Sequence, residues 1–421
     1  MPFYHIWTIG CQMNKADSER IASYFEQIGY QATPKADDAE IIVLNSCVVR
    51  RSAEDRVINK LKSLKALKKD KILAVTGCIV DSRVADLSRR YPHVGLFFRP
   101  QAFSELSRFL TERHLAPKGL EPGSVLSRPS PSTFVPVING CDNFCSYCIV
   151  PYRRGREQSR PMEEILCEVE GLVARGVKEV ILLGQNVDSY GHDLPGKPDL
   201  ATLLGELNQV NGLARIRFLT SHPKDMSQRL IEAMSQLDKV CEHLSLPLQA
   251  GDDDILQAMR RGYTVAQYKG LVERIRHAIP HIALSTDVIV GFPGESEEQF
   301  QRTYDLLDEL RFDTVHVACY SPRPGTIAAR KFEDNVPAEE KLRRREMVER
   351  LQEGIATEIN ARLSGSTVEV LVEGRKNEKW WGRTRTAKLV FFSDKADHMG
   401  QLVKVKIEKT SPWSLQGILA R

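Results

Sequence analysis

At 421 residues the chain is too long for one ordinary hydrophobic core and implies two or three domains. Its 42% hydrophobic and 27% charged residues are those of a soluble globular protein, and no apolar run approaches the roughly 18 residues that span a bilayer. Residues 1–11 lack the basic stretch and apolar core of a secretory leader, so the nine cysteines are expected to be reduced cytoplasmic thiols and not disulfides.

Three short apolar runs open the chain, and each ends at a cysteine: 4–9 before Cys11, 41–44 before Cys47, and 72–75 before Cys78. Each has the length and composition of a strand, and helical patterns follow over 16–28, 52–67 and 82–91. This alternation predicts parallel strands with right-handed crossovers, all ending at one sheet edge. That edge would gather Cys11, Cys47 and Cys78, with helix N-termini beside them to stabilise thiolates. Three buried structural cysteines are the alternative. Their equivalent places in three repeated units favour a cluster. Residues 118–132 are rich in Pro, Gly and Ser and read as a linker after a first domain of 1–117.

Next comes a loop with Cys141, Cys145 and Cys148, spaced Cys-x3-Cys-x2-Cys. Structural zinc wants four ligands. No fourth Cys or His lies nearby, and Cys167 sits in a helical pattern. Three thiolates on one loop suit three irons of a 4Fe–4S cubane, whose fourth iron stays open for a small molecule. Cys167, Cys241 and Cys319 read as core residues. The basic stretch 153–161 offers Arg153, Arg154 and Arg156 to phosphates, unless it is only a solvated loop.

Strand signals at 180–183, 216–219, 243–246, 284–290 and 314–320 then alternate with helical ones at 162–175, 226–237, 254–260, 265–278 and 297–310. They predict a parallel barrel or partial barrel whose strand ends share one face. Gly184, Gln185, His222, Gln249 and Gly291 fall on that face. A charged helix over 338–363 leads into the last module.

Residues 362–421 carry twelve Lys/Arg against six Asp/Glu, which points to a polyanion at that end. Four strand patterns with basic turns predict a small β-barrel of the nucleic-acid-binding type. Trp380 and Trp381 beside Arg383 and Arg385 suit base stacking and phosphate contact, or the tryptophans fill the core.

The Cys141–Cys145–Cys148 spacing resembles the signature of the radical S-adenosylmethionine (SAM) superfamily. The resemblance implies a 4Fe–4S cluster whose open iron binds SAM, and cleavage of SAM to a 5′-deoxyadenosyl radical. It implies that Tyr147 packs near the adenine, that Gly184 and Gln185 contact the SAM amino group, and that the segment with Gly291 flanks the adenine, with Gln249 and Ser285 as candidates for ribose or methionine groups and Arg153, Arg154 and Arg156 for the methionine carboxylate. The motif Gly10-Cys11-Gln12-Met13-Asn14 with Asp17-Ser18-Glu19, the motif Asn45-Ser46-Cys47 and the motif Gly77-Cys78 resemble the methylthiotransferases. In that family the three cysteines hold an auxiliary 4Fe–4S cluster. Gln12-Met13 is similar to the tRNA branch, where the ribosomal-protein branch has Pro-Lys; Ser46 departs from the usual Thr. Gly155-Arg156-Glu157 with Ser159-Arg160-Pro161 also looks like the tRNA enzymes, and Gly382-Arg383-Thr384 resembles the TRAM domain.

The resemblance covers nearly the whole chain. It implies an α/β protein with an N-terminal parallel-sheet domain (1–117), a linker (118–132), a central radical SAM barrel, partial or full (133–361), and a TRAM-like β-barrel (362–421). The implied reaction is 2-methylthiolation of N6-dimethylallyladenosine next to the tRNA anticodon. One SAM would methylate a sulfur at the auxiliary cluster and a second would be the radical source. Implied partners are the tRNA anticodon stem-loop, an electron donor and a sulfur donor, with no membrane and a monomeric state. Rivals are a threonylcarbamoyladenosine enzyme, an enzyme for a ribosomal-protein aspartate, and a non-catalytic iron–sulfur RNA-binding protein.

Overall fold

The computed structural model describes residues 1–47, 51–66, 71–80, 84–100, 102–117, 119 and 130–420. Most of the expected linker, and residues 48–50 after the second cysteine motif, lie outside the described residues. The chain divides into two compact units. One comprises 1–129, 139–141 and 148–156; the other comprises 130–138, 142–147 and 157–421.

The first unit is a five-stranded, all-parallel sheet. Its elements run β1 (Phe3–Ile9), α1 (Gln12–Gln27), β2 (Gln31–Ala32), β3 (Ile41–Ser46), α2 (Arg51–Ser63), β4 (Ile72–Gly77), α3 (Val84–Arg90), β5 (Leu96–Phe97) and α4 (Phe103–Glu112). The strand order is β2-β1-β3-β4-β5. Strand β3 is buried at every position, as expected for a central parallel strand covered on both faces. Its alternating side chains divide between the two layers. Ile41 and Val43 pack with Ile21, Tyr24 and Phe25 of α1, while Ile42 and Leu44 pack with Val57 and Leu61 of α2.

The second unit holds two parallel sheets in chain order: β6 (Ser132–Pro136), β9 (Glu179–Leu183) and β10 (Arg215–Phe218), then β11 (His243–Ser245), β12 (Ala283–Val290) and β13 (Thr314–Cys319). A parallel bridge between Ile216 and Val240 joins the sheets into a six-stranded partial barrel. Two-residue strands β7 (Ile138–Asn139) and β8 (Gln158–Ser159) flank the cysteine loop in sequence. The crossovers include helices over Met162–Val173, Leu200–Asn208, Gln228–Gln236, Val265–Ala278 and Glu297–Leu310. The sequence did not signal β6: it is short and ends in Pro136, which an edge position tolerates.

After a 24-residue helix, Ala338–Ala361, comes a closed barrel of β14 (Thr367–Lys376), β15 (Lys379–Thr384), β16 (Leu389–Ser393), β17 (Leu402–Thr410) and β18 (Leu415–Leu419), ordered β14-β15-β16-β18-β17. The stretch with Trp380 and Trp381, which carries no clean strand alternation, forms β15. Gly382 lets it approach β14, since a Cβ there would stand 2.0 Å from the Leu371 carbonyl oxygen. The small barrel is locked to the partial barrel within the same unit. Arg215 Nη1 donates to the Arg383 carbonyl at 2.8 Å, and Arg217 donates to the carbonyls of Arg385 and Thr384 and, through Nε, to Glu179 at 2.8 Å. Among the described residues no helix is long and apolar enough to cross a membrane.

Candidate metal centres

In the first unit, Cys47 and Cys78 follow directly on β3 and β4, and Cys11 follows β1 after Gly10; the three strands are neighbours in the sheet. Backbone bonds continue the ladder past the strand ends. The Cys47 amide donates to the Ile9 carbonyl at 2.8 Å, and the Cys78 amide donates to the Ser46 carbonyl at 2.7 Å. Cys11 is the N-cap of α1. Glycines make the close packing possible: a Cβ on Gly10 would lie 2.6 Å from Cys47 Cβ, and one on Gly77 would lie 2.2 Å from the Ser46 carbonyl oxygen. Burial pushes the Cys11 thiol up, the nearby Cys78 adds to the rise, and Arg154 opposes it.

A buried amide network braces this edge. Asn14 Nδ2 donates to Asn45 Oδ1 at 2.9 Å, while Asn45 Nδ2 donates to the Asn14 carbonyl and to Ser18 Oγ. Ser46 Oγ donates to the Thr76 carbonyl, so the shorter side chain still ties β3 to β4. Three thiols at neighbouring strand ends, braced from behind, are the donor set that a 4Fe–4S cubane with one open iron would take. The motif residues Asn14, Ser18 and Asn45 thus have a visible role as supports.

Arg154 overturns an expectation. It ends the short helix Val150–Arg154, and its side chain is only 3% exposed. Its Nε donates to Cys78 Sγ at 3.4 Å, and Nη2 stands 3.6 Å from Asp17 Oδ2. Burial alone would make this guanidinium easier to deprotonate, but Cys78 and Asp17 outweigh burial and keep it charged. A side chain enclosed in this way is not on an RNA-binding surface. Arg153 is half-buried and Arg156 exposed.

The loop of the second cysteine motif is held at both ends. In the first unit the Cys141 amide donates to the Gly155 carbonyl, and a Cβ on Gly140 would meet the Arg156 carbonyl oxygen at 2.0 Å. In the second unit Ser146 donates through its amide to Met259 and through its hydroxyl to Ala258, and it accepts from the Ala328 amide. Cys145 is buried, and Arg261 Nη1 donates to its Sγ at 3.2 Å. Arg261 is also held by Tyr263 and the Pro247 carbonyl. Burial alone would lower the guanidinium pKa, but Tyr147, Tyr263 and Cys145 around it raise it. Tyr147 packs partly buried against a cluster containing Leu256, Met259 and Phe292. Nothing in the sequence around Arg261 distinguished it from an ordinary helix-end arginine.

The strand-end turns carry the other expected residues. Gly184 follows β9, and a Cβ there would lie 2.4 Å from Ile138 Cγ2. Gln249 is buried at φ +72°, and its amide donates to the Asp287 carbonyl at 2.8 Å. Ser285 Oγ turns to the Leu244 carbonyl at 3.5 Å. Gly291 adopts φ +69° beneath Lys341, and its amide donates to Glu295 Oε2 at 2.6 Å. Gln185 lies half-buried after Gly184.

Beside them, Asp188 accepts from Ser221 Oγ and from the His222 amide at 2.9 and 3.0 Å. Burial pushes its carboxyl up to about 7. Burial, with Arg261 and Lys224, pushes His222 down to about 2. His222 Nδ1 accepts from the Lys224 amide, so the neutral ring carries its proton on Nε2, which has no protein hydrogen-bond partner among the described residues.

In the small barrel Trp380 is core, packed with Val370, Val390 and Phe392, and its indole N–H donates to the Asp394 carbonyl. It is therefore closed to base stacking. Trp381 is half-buried on the outer side of the strand, with Arg383 5.8 Å over its ring. Arg383 pairs with Glu373, and Arg385 is taken up by Glu242 at 2.8 Å and the Val240 carbonyl at 2.6 Å. Arg385 thus serves the lock between the barrels. Cys167, expected in the core, is exposed, while Cys241 is buried and Cys319 half-buried.

Comparison with known proteins agrees with this arrangement. The family described as Radical SAM superfamily matches residues 135–307, the Uncharacterized protein family UPF0004 matches 4–99, and the TRAM domain matches 361–420. Among solved structures, the radical SAM methyltransferase TsrM from Kitasatospora setae, with cobalamin and a [4Fe-4S] cluster, aligns at TM-score 0.56 and 13% identity. The match covers 78% of this chain and 74% of that one. The fold and the cysteine loop define a radical SAM protein, a class built on a 4Fe–4S cluster and SAM.

The curated relatives narrow the class. A tRNA-2-methylthio-N(6)-dimethylallyladenosine synthase of Dehalococcoides mccartyi (strain CBDB1) is 53% identical over 100% of this chain and 99% of its own. One of Chloroflexus aurantiacus is 50% identical over 99% of this chain and 91% of its own. The chain belongs to this family of radical SAM methylthiotransferases.

Proposed function

We propose that this chain is a tRNA methylthiotransferase that modifies C2 of N6-dimethylallyladenosine next to the anticodon. Full-length identity to relatives of that name supports the substrate. The observation that carries the chemistry is the set of Cys11, Cys47 and Cys78 on three neighbouring strand ends, in a chain that also carries the Cys141 loop. When bound, a 4Fe–4S cluster on Cys141, Cys145 and Cys148 supplies the electron for SAM cleavage, and an auxiliary one on Cys11, Cys47 and Cys78 supplies the sulfur site.

The chain's own residues perform the remaining work. Arg261 stabilises the Cys145 thiolate by a charge-assisted bond. Tyr147, Gly184, Gln185, Gln249, Ser285 and Gly291 form the SAM-binding face, and His222 offers a fixed Nε2–H donor there. Arg153, Arg156, Trp381 and Arg383 contact RNA. The protein works as a cytoplasmic monomer with separate electron and sulfur donors. In domain terms, 1–117 handles sulfur, 133–361 the radical, and 362–421 the tRNA.

Mass spectrometry of nucleosides tests the proposal. Reconstituted protein is incubated anaerobically with SAM, sulfide, a reductant and tRNA bearing N6-dimethylallyladenosine. The 2-methylthio product is expected. SAM cleavage without that product would move the substrate to the threonylcarbamoyl nucleoside or a ribosomal protein. Absence of both, in protein shown to hold its clusters, would favour a non-catalytic iron–sulfur RNA-binding protein.

A further inference from the structure

Within the first unit, one buried side chain is left with unfilled donors beside the auxiliary cysteines. Arg154 Nε is used by Cys78 Sγ at 3.4 Å. Its Nη1 and Nη2 have no hydrogen-bond partner among the described residues, and the carboxylate nearest to them, Asp17, stands off at 3.6 Å. Asp17 Oδ2 is itself without a hydrogen bond. A buried guanidinium normally fills its five donors, because each unmade bond costs the full desolvation penalty. The groups that face it are Asp17, Cys78 and Cys11, with Arg20 behind Asp17. Three cysteines would ligate three irons of a cubane and leave the fourth to a further ligand.

We propose that Arg154 is a positioning residue of the auxiliary site: it offsets the charge of the Cys78 thiolate, and its unfilled Nη donors hold an anionic sulfur ligand, hydrosulfide or methylthiolate, on the open iron. This rests on the two-cluster reading above. It assigns to the auxiliary site a residue from the chain segment that directly follows the SAM cysteine loop. The competing role for Arg154 is that of a buried ion-pair partner for Asp17 and nothing more.

The test uses the full chain with C141A, C145A and C148A, so that iron binds only at the auxiliary site. After reconstitution, iron content, the electron paramagnetic resonance spectrum of the reduced cluster and its midpoint potential are measured, with titrations of sulfide and of methanethiol. Adding R154M is expected to leave the iron content unchanged. It should weaken binding of both sulfur ligands by about 10- to 100-fold, the worth of a charge-assisted hydrogen bond. The potential should move in the negative direction, because a nearby cation favours the added electron. R154K should recover part of both shifts. Unchanged affinity and potential in iron-loaded R154M would overturn the proposal. If R154M takes up no iron, D17N/R154M decides, since it leaves no orphaned buried carboxylate. The same shifts in that variant support the proposal, and an empty site reduces Arg154 to scaffold. An empty site in the parent itself would instead overturn the two-cluster reading.

Discussion

Arg261 donates a hydrogen bond from Nη1 to Cys145 Sγ at 3.2 Å, and the arginine is only 4% exposed. With Cys145 as the proposed cluster ligand, a cation fixed so close acts on its sulfur without a flexible partner to reorganise. Replacing it with R261M is expected to slow reductive SAM cleavage by about tenfold or more, the low end for a lost charge-assisted bond. R261K should recover part of the rate. Single-turnover release of 5′-deoxyadenosine measures this directly, and a wild-type rate in R261M would refute the role.

The two sets of cysteines should separate functionally. C11A/C47A/C78A is expected to keep SAM cleavage and lose the methylthio product, whereas any one of C141A, C145A or C148A should abolish cleavage. G77A offers a gentler version of the first lesion. Gly77 has φ +93°, and its added Cβ would fall 2.2 Å from the Ser46 carbonyl oxygen and 2.5 Å from the Ser46 nitrogen. Reconstituted G77A should hold about half the iron of wild type, that of a single cluster, because the β3–β4 edge can no longer align Cys47 and Cys78. Full iron content and full product yield would count against that geometry.

The lock between the partial barrel and the small barrel depends on Arg217, whose side chain is 4% exposed and paired with Glu179 at 2.8 Å. Removing one member of a buried pair leaves the other charge uncompensated, at a cost of about 3–5 kcal/mol. R217A should therefore unfold at lower denaturant concentration and speed amide exchange across 384–388. If R217A matches wild type in both, the lock contributes nothing to stability.

Asp188 makes stability depend on pH with a definite sign. Its ordinary value is 3.8, and burial raises it to about 7 in the folded chain. Between those values the folded state holds a proton that the unfolded state has lost, so this group's contribution falls as pH rises from about 4 to about 7, by at most about 1.4 kcal/mol per unit. D188N removes the titration. The stability of D188N minus that of wild type should climb across this window and level off above pH 7. A pH-independent difference would show that Asp188 is not protonated in the folded state. His222 titrates the opposite way: its folded value lies below 6.5, so its contribution is lost as pH falls below 6.5.

Much of this protein is readable from residue order alone. Each set of cysteines is marked by local signals: short spacing in the Cys141 loop, and a strand run ending at each of Cys11, Cys47 and Cys78. Strand–helix alternation then requires that parallel strands end at a common edge, so their convergence follows from chain connectivity. What the order of residues does not contain is the direction in which a polar or aromatic side chain points once elements pack. Trp380 and Trp381 are identical in type and adjacent, yet a strand turns them to opposite sides, into the barrel core and outward. Arg154 and Arg156 sit in one basic run. The short helix that ends at Arg154 turns its side chain to Cys78, and Arg156 beyond Gly155 stays exposed. Arg385 looks like a phosphate ligand until Glu242, 143 residues away in the chain, is found beside it. Charge and spacing along the chain determine which chemistry this protein carries. Only packing across long sequence separations decides which cations are consumed by the fold, because a buried charge must find its partner wherever the tertiary structure has placed one.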